Sequence, residues 1–209
     1  MKVLGICGSL RKASINRMAL HAAQALAPAG MQIDIADISE IPLYNEDVHT
    51  AGMPASVQAF RAAIKAADAL LIVSPEYNFS IPGVLKNAID WASRPPEQPF
   101  DGKPTAIMGA SPGQVGTARM QYHLRQTLLF LNTQTVVKPE VFINMASGKF
   151  NAQGELTDEG TKKVIADLLL SLEKSGWPFP SVSPAGPRGR APPLPAGKGH
   201  PPLAVCAVR

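Results

Sequence analysis

Short apolar runs alternate with stretches of helical periodicity over most of the chain. The runs predict five strands, the last interrupted, at residues 2–7, 32–38, 68–73, 105–110, and 135–137 with 141–143. Apolar positions at helical spacing predict helices at residues 15–26, 54–66, 83–92, 117–131 and 158–174. Ser14 and Thr157 are placed to cap the first and last of these helices.

Strands that alternate with helices predict parallel β-α-β units, with right-handed crossovers that put helices on both faces of the sheet. Five strands at this spacing are typical of a flavodoxin-like, doubly wound α/β fold with strand order 2-1-3-4-5. The strand count follows from the pattern, whereas the order rests on analogy with that fold. In this order the loops after strands one and three lie side by side, where open sheets bind ligands.

The periodic pattern stops near residue 175. Residues 176–209 contain nine prolines and five glycines, a composition that favours disorder. We therefore predict one flavodoxin-like domain over residues 1–175, followed by a tail. The tail also accounts for the formal charge of +4, because it holds no acid and four basic residues: Arg188, Arg190, Lys198 and Arg209.

Without the tail the charges balance, at 16 basic and 16 acidic residues, so nucleic-acid binding is not indicated. No apolar stretch reaches eighteen residues, so no membrane span is predicted. The first residues lack the pattern of a secretory signal, and we expect a cytoplasmic location.

The loop after the first strand is predicted to bind a phosphate. Its sequence is Gly8-Ser9-Leu10-Arg11-Lys12-Ala13-Ser14-Ile15-Asn16. The start of the next helix offers unpaired N–H groups, and hydroxyl, amide and guanidinium side chains add further donors. The loop lacks the glycine patterns of dinucleotide and nucleoside-triphosphate sites, which favours a single phosphomonoester. An ordinary polar turn with a serine cap is the alternative.

The loop after the third strand is predicted to border a flat polar ring. It begins Pro75-Glu76-Tyr77-Asn78 and continues with Phe79. Proline at both ends of the loop restricts the backbone, so little entropy is lost on binding. Tyr77 offers an aromatic surface, and Asn78 offers both a donor and an acceptor. Alternatively, Tyr77 packs in the core and Asn78 caps a turn.

A third loop follows the fourth strand: Ser111-Pro112-Gly113-Gln114-Val115-Gly116. Its glycines allow a ligand to approach the backbone closely. A simple flexible turn is the alternative.

Four motifs together resemble the NADPH-dependent FMN reductase family, and most closely its quinone and chromate reductase branch. They are Gly8-Ser9-Leu10-Arg11 with Ser14 and Asn16, Pro75-Glu76-Tyr77-Asn78, Leu85-Lys86-Asn87-Ala88-Ile89-Asp90-Trp91 and Gln121-Tyr122-His123-Leu124-Arg125-Gln126. The resemblance spans residues 1–175.

It implies FMN as the cofactor, with Ser9, Arg11 and Asn16 on its phosphate, residues 76–79 beside the isoalloxazine ring and Ser111 nearby. The full set of predicted FMN-binding residues is Gly8, Ser9, Leu10, Arg11, Ser14, Ile15, Asn16, Pro75, Glu76, Tyr77, Asn78, Phe79 and Ser111. A homodimer or homotetramer is also implied.

The implied activity is an NAD(P)H oxidoreductase. Hydride passes from NADPH or NADH to FMN, and electrons then pass to a quinone or a similar acceptor, such as chromate, an azo compound or free flavin. No catalytic side chain is demanded, because the cofactor carries the chemistry. Scattered histidines indicate no metal site, and Ser111 lies outside a hydrolase motif. A flavodoxin-type electron carrier and a non-catalytic flavin-binding regulator remain open alternatives.

Overall fold

The computed structural model describes residues 1–175. In this part of the chain six strands form one sheet: β1 (Lys2–Cys7), β2 (Gln32–Ala36), β3 (Ala69–Val73), β4 (Pro104–Ala110), β5 (Gln134–Thr135) and β6 (Val141–Ile143). The helices are α1 (Ile15–Ala25), α2 (Glu46–Ala51), α3 (Ala55–Ala66), α4 (Gly83–Ala92), α5 (Ala118–Phe130) and α6 (Glu159–Ser175). The predicted tail, residues 176–209, lies outside the described residues.

All strand pairs are parallel, and the order is β2-β1-β3-β4-β5. Both β5 and β6 pair with β4, the first near its start at Thr105 and the second at its end, from Met108 to Ala110. Together they occupy the fifth position as an interrupted strand. The predicted flavodoxin-like order and the break in the last strand are therefore confirmed.

Two apolar clusters cover the two faces of the sheet. On one face α1 and α6 pack through residues such as Leu20 and Leu168, and on the other α3, α4 and α5 pack through residues such as Phe60 and Leu85. Every residue of the central strand β3 is buried, as expected for a parallel sheet covered on both faces. This confirms the doubly wound architecture and leaves the loops at the strand ends to carry chemistry.

Local differences from the predictions have local causes. Helix α2 was not predicted, because none of its residues is buried and it carries no apolar stripe. Thr157 was the wrong choice of cap for the last helix, since Asp158 Oδ1 accepts from the N–H of Thr161 at 2.8 Å. The cap predicted for α1 is confirmed, because Ser14 accepts from the N–H of Arg17. Within residues 1–175, none of the helices has the length and apolarity to span a bilayer.

Candidate functional site

The loops after β1 and β3 leave the sheet at the same edge. Cys7 lies opposite Val73 in the register of the two strands, and the N–H of Gly8 donates to the Val73 carbonyl at 2.9 Å. The chain winds outward in opposite directions from β1 and β3, so this edge is the topological switch point of the sheet. The predicted neighbourhood of the two loops is confirmed.

The strand ends converge on Ser74, which is fully buried. A Cβ atom at Gly8 would stand 2.3 Å from Ser74 Oγ, and one at Gly109 would stand 2.2 Å from the Ser74 carbonyl oxygen. No side chain fits at either position without a shift. Glycine therefore sets how closely β1 and β4 approach the start of the loop after β3.

The phosphate loop, residues 8–16, presents donors rather than side-chain bulk. Ser9 and Ser14 are buried, while Arg11 is exposed. Ser9 Oγ accepts from the N–H of Arg11 at 3.4 Å, which leaves the hydroxyl proton free to donate. The first-turn N–H groups of Ile15 and Asn16 make no hydrogen bond to any residue of 1–175. These groups fit an anion such as a phosphate.

The side chain of Asn16 links two elements of the fold. Its Nδ2 donates to the carbonyl of Ala110 at 2.9 Å, and its Oδ1 accepts from the N–H of Ala110 at 2.7 Å. Both polar atoms are thus engaged in a buried link between α1 and the end of β4. The predicted amide contact with a phosphate stays a prediction, for which the second hydrogen of Nδ2 and the backbone N–H of Asn16 are the remaining donors.

Cys7 lies beneath the phosphate loop. Its Sγ donates to the Ser9 carbonyl at 3.5 Å, and burial raises the pKa of the thiol. The group therefore stays neutral at physiological pH and acts as a small apolar floor for the loop.

The ring loop, residues 75–79, is a tight turn closed by two backbone bonds. The N–H of Tyr77 donates to the Ser80 carbonyl at 3.2 Å, and the N–H of Ser80 donates back at 2.9 Å. Asn78 and Phe79, which lie between Tyr77 and Ser80, have φ of 50° and 64° respectively. Two left-handed residues make a primed hairpin turn, and a phenylalanine in this region is uncommon. Strain of this kind is concentrated at ligand sites.

The aromatic residues of the ring loop face outward. Tyr77 is 52% exposed and Phe79 is 65% exposed. The alternative in which Tyr77 packs in the core is therefore wrong. The N–H groups of Asn78 and Phe79 have no hydrogen-bond partner within residues 1–175, so the tip of the turn offers free donors beside an aromatic surface.

The carboxylate of Glu76 is already engaged. It accepts from Arg119 Nε at 2.6 Å and from the N–H of Met120 at 3.1 Å, and only 6% of the side chain is exposed. The Arg119 guanidinium also lies 3.6 Å from the centre of the Phe79 ring. Glu76 and Arg119 thus fix the ring loop to the start of α5. Arg119 was not predicted as a residue of this site, because it lies 43 positions from its partner.

The third loop completes a cavity of about 370 Å³ with the ring loop. Its lining includes Asn78, Phe79 and Ser111. The loop is held in place by the segment after β6, because the N–H of Met145 donates to the Gly113 carbonyl and the N–H of Ala146 donates to the Ser111 carbonyl. The structure therefore brings Ser111 to the ring loop and makes a flexible turn the poorer description.

An anion cradle beside a rigid loop with an aromatic border, at the switch point of a flavodoxin-like sheet, defines a mononucleotide-binding α/β protein. A sequence profile of the NADPH-dependent FMN reductase family matches residues 1–148. The chain belongs to this family and is an oxidoreductase.

Several known proteins are similar to this chain over most of their own length. An NAD(P)H-dependent FMN reductase of Pseudomonas aeruginosa is 60% identical over 173 residues, which cover 83% of this chain and 94% of the relative. A quinone reductase of Escherichia coli is 47% identical over 175 residues, with 82% and 93% covered. Among solved structures, the flavoenzyme NAD(P)H:(acceptor) oxidoreductase FerB of Paracoccus denitrificans matches with a TM-score of 0.78 and 37% identity, with 84% and 96% covered.

Proposed function

We propose that this chain takes electrons from NADPH or NADH through bound FMN and passes them to a quinone or a similar small acceptor. The observation that carries the proposal is the meeting of the phosphate loop and the ring loop at one sheet edge. The names of the relatives, an FMN reductase and a quinone reductase, support the same chemistry.

In this proposal the phosphate loop holds the phosphate end of FMN. The free N–H groups of Ile15 and Asn16 and the hydroxyls of Ser9 and Ser14 donate to it, and Arg11 adds a charged donor from the exposed side. Gly8 and Leu10 shape the loop around these donors. FMN, when bound, accepts hydride from the nicotinamide and releases electrons to the acceptor.

The ring loop contributes shape and backbone donors. The free N–H groups of Asn78 and Phe79 are placed to meet the oxygen and nitrogen edge of a flavin ring and to stabilise negative charge there. Pro75 and the Glu76–Arg119 pair keep the turn rigid, so little ordering is needed on binding. Ser111 borders the same cavity. No side chain has to act as an acid or base.

The acceptor surface is permissive. The exposed rings of Tyr77 and Phe79 offer stacking area to a flat molecule, which favours a quinone. Chromate, azo compounds and free flavin stay further candidates for the acceptor.

We also propose that the protein is a homodimer or homotetramer. One face of α5 and the segment after it expose large apolar side chains: Tyr122, Leu129, Phe130 and Val137, of which Leu129 and Phe130 are 80% and 87% exposed. Such a surface is typical of a contact between subunits. Light scattering should show a smaller particle for Phe130→Ser than for the unaltered protein, and an unchanged mass would exclude this face.

A cytosolic location is part of the same proposal. Among residues 1–175 the buried thiol of Cys7 has no disulfide partner, as is usual in a reducing compartment.

The direct test is turnover by the purified protein. We expect a yellow preparation whose released cofactor has the mass of FMN, and steady NADPH or NADH oxidation when benzoquinone is added. An electron carrier or a regulator would bind the flavin without sustained turnover. A colourless protein that takes up no FMN, or bound flavin that neither nucleotide reduces within minutes, would exclude the proposal.

The variant Arg11→Ala tests the phosphate loop. Loss of one charge-assisted hydrogen bond should raise the dissociation constant for FMN about tenfold to a hundredfold. The melting temperature of the apoprotein should not change, because Arg11 is exposed. Arg11→Lys, which keeps the charge, should lie between the two. Unchanged FMN retention in Arg11→Ala would remove this residue from the phosphate site.

A further inference from the structure

The third loop, residues 111–116, is held by the segment that follows β6. The half-buried side chain of Asn144 reaches the loop, and its Nδ2 donates to the Gln114 carbonyl at 3.0 Å. The next residue, Met145, has a left-handed backbone with φ of 46° and donates its N–H to the Gly113 carbonyl at 3.1 Å. A methionine in this region is uncommon, and strain of this kind persists where surrounding contacts require it.

The contact with Asn144 fixes the direction of one peptide group. The Gln114 carbonyl and the Val115 N–H belong to the same planar trans peptide and point in opposite directions. Because the carbonyl is turned towards Asn144, the N–H is turned away from it. This N–H has no hydrogen-bond partner among residues 1–175, and both Gln114 and Val115 line the cavity of about 370 Å³ at the ring loop. The contact therefore leaves a free backbone donor beside that cavity.

A lysine determines which way the Asn144 amide faces. Lys149 Nζ lies 3.5 Å from Asn144 Oδ1, and only 23% of the lysine side chain is exposed. The start of α6 holds the ammonium there, because it also lies 3.2 Å from Thr161 Oγ1 and 3.7 Å from Asp158 Oδ1. An ammonium group donates and never accepts, so it keeps the amide oxygen on its own side. The amide nitrogen is then left to face the Gln114 carbonyl.

We propose that Asn144 is a positioning residue for the flavin, because it fixes the Gln114–Val115 peptide so that the Val115 N–H donates to the ring. Lys149 acts through Asn144 by orienting its amide. The inference rests on the proposed function and extends the site from the loops at the strand ends to the segment after β6. An N–H donor at the oxygen and nitrogen edge of a flavin stabilises the electron-rich reduced ring more than the oxidised ring.

The first test is Asn144→Asp, which keeps the shape of the side chain but cannot donate to the Gln114 carbonyl. We expect the dissociation constant for FMN to rise about fivefold to twentyfold, since one hydrogen bond to the ring is lost. The melting temperature of the apoprotein should stay within about 3 °C, because a charge pair with Lys149 offsets the lost hydrogen bond. A merely structural role would lower stability and leave the FMN affinity of the folded protein unchanged, and that result would overturn the inference.

Asn151→Asp is the matched control, because it makes the same change of charge in the turn that follows. Asn151 Oδ1 accepts from the N–H groups of Gln153 and Glu155, and a carboxylate can accept from both. FMN affinity should not change in this variant. An equal rise of the dissociation constant would show that negative charge, and not the loss of a donor, weakens FMN binding, and the inference would be wrong.

The neutral variant Asn144→Ala separates the roles of the two side chains. Its midpoint potential for the bound flavin should be more negative than that of the unaltered protein, and an unchanged potential would contradict the proposed contact with the ring. Lys149→Met should raise the dissociation constant for FMN when made alone. In the Asn144→Ala background it should add nothing, because Lys149 acts through Asn144. Additive effects would exclude that relation.

Hydrogen exchange followed by nuclear magnetic resonance reports on the Val115 amide without turnover. In the unaltered protein, FMN should slow the exchange of this amide at least about tenfold, since the N–H then donates to the ring. In Asn144→Asp saturated with FMN, the protection should be lost. FMN binding that leaves the Val115 amide of the unaltered protein unprotected would exclude the inference alone. A protein that takes up no FMN would exclude the proposed function and this inference with it.

Discussion

The phosphate loop and the ring loop leave the same edge of the sheet but are built in opposite ways. In the phosphate loop the donors remain available, with free N–H groups at Ile15 and Asn16 and an exposed guanidinium at Arg11. In the ring loop the charged group is already engaged, since Glu76 is paired with Arg119 and α5. What that loop offers is its fixed shape and the tip of its turn.

This difference separates residues that determine ligand affinity from residues that determine the shape of a loop. A change of an exposed donor in the phosphate loop should alter ligand binding and leave folding unchanged. A change in the ring loop should alter the shape of the loop first and binding as a consequence. Asn16 is the exception. It lies in the phosphate loop, but its side-chain contacts with Ala110 hold the fold together.

The largest effect is expected at the common base of both loops. Gly109→Ala would place a Cβ 2.2 Å from the Ser74 carbonyl oxygen, so the backbone must shift. Overpacking of this kind should lower the free energy of unfolding by about 3 kcal/mol, measured by urea denaturation, and should weaken FMN binding.

Gly113→Ala is the matched control in the loop that follows. There the nearest atom, Ser111 Oγ, would lie 3.6 Å from the new Cβ, an ordinary contact. We expect a change within about 0.5 kcal/mol. Equal stability of the two variants would show that the strand ends are looser than the distances at Gly109 indicate.

The second-largest effect is expected for Asn16→Ala, which should lower stability, whereas Arg11→Ala should lower FMN affinity. Asn16→Ala leaves the N–H and the carbonyl of Ala110 unpaired in the interior. The free energy of unfolding should fall by about 2–4 kcal/mol, since each unsatisfied group costs about 1–3 kcal/mol. FMN affinity of the folded fraction should change far less than in Arg11→Ala. A variant of unchanged stability that has lost FMN would instead support the predicted contact of the Asn16 side chain with the phosphate.

The fold could be predicted from the sequence because buried strands and amphipathic helices leave a periodic pattern. Helix α2 has no buried residue and therefore leaves none. The positions of the two loops could be predicted too, because topology places them at one edge once the strand order is known.

The contacts within the loops could not be predicted. Asn16 pairs with Ala110 across 94 positions and Glu76 with Arg119 across 43, and no local pattern records such partners. The left-handed backbone at Phe79 was equally hidden, because phenylalanine does not favour that region. The side chains of the site were therefore identified by position, and their separate roles needed coordinates.

The third effect tests the rigid character of the ring loop. Glu76→Gln keeps the shape of the side chain but removes the charge that faces Arg119 and the N–H of Met120. The free energy of unfolding should fall by about 1–2 kcal/mol, since a charged acceptor at a helix start is lost. FMN affinity should fall a few-fold, because the loop must then be ordered on binding.

Glu97→Gln is the control for this change. The side chains of its pair with Lys65 are largely exposed, so we expect no measurable change in stability or FMN affinity. If Glu76→Gln behaved in the same way, the ring loop would owe its shape to the backbone turn alone.

The smallest effect concerns Cys7, which reports on the phosphate loop and not on the ring loop. Burial raises the pKa of its thiol in the folded protein, so above about pH 8.5 the unfolded chain ionises first and stability falls as the pH rises. The chain's other cysteine, Cys206, is removed by Cys206→Ser so that only Cys7 reacts. In this background, iodoacetamide should label the native protein much more slowly than the unfolded chain at pH 8. Saturating FMN should slow the reaction further, because the Ser9 carbonyl that accepts from the thiol lies in the phosphate loop. Labelling at the rate of a free thiol, with or without FMN, would show that the phosphate loop opens readily and that the contrast between the two loops does not hold.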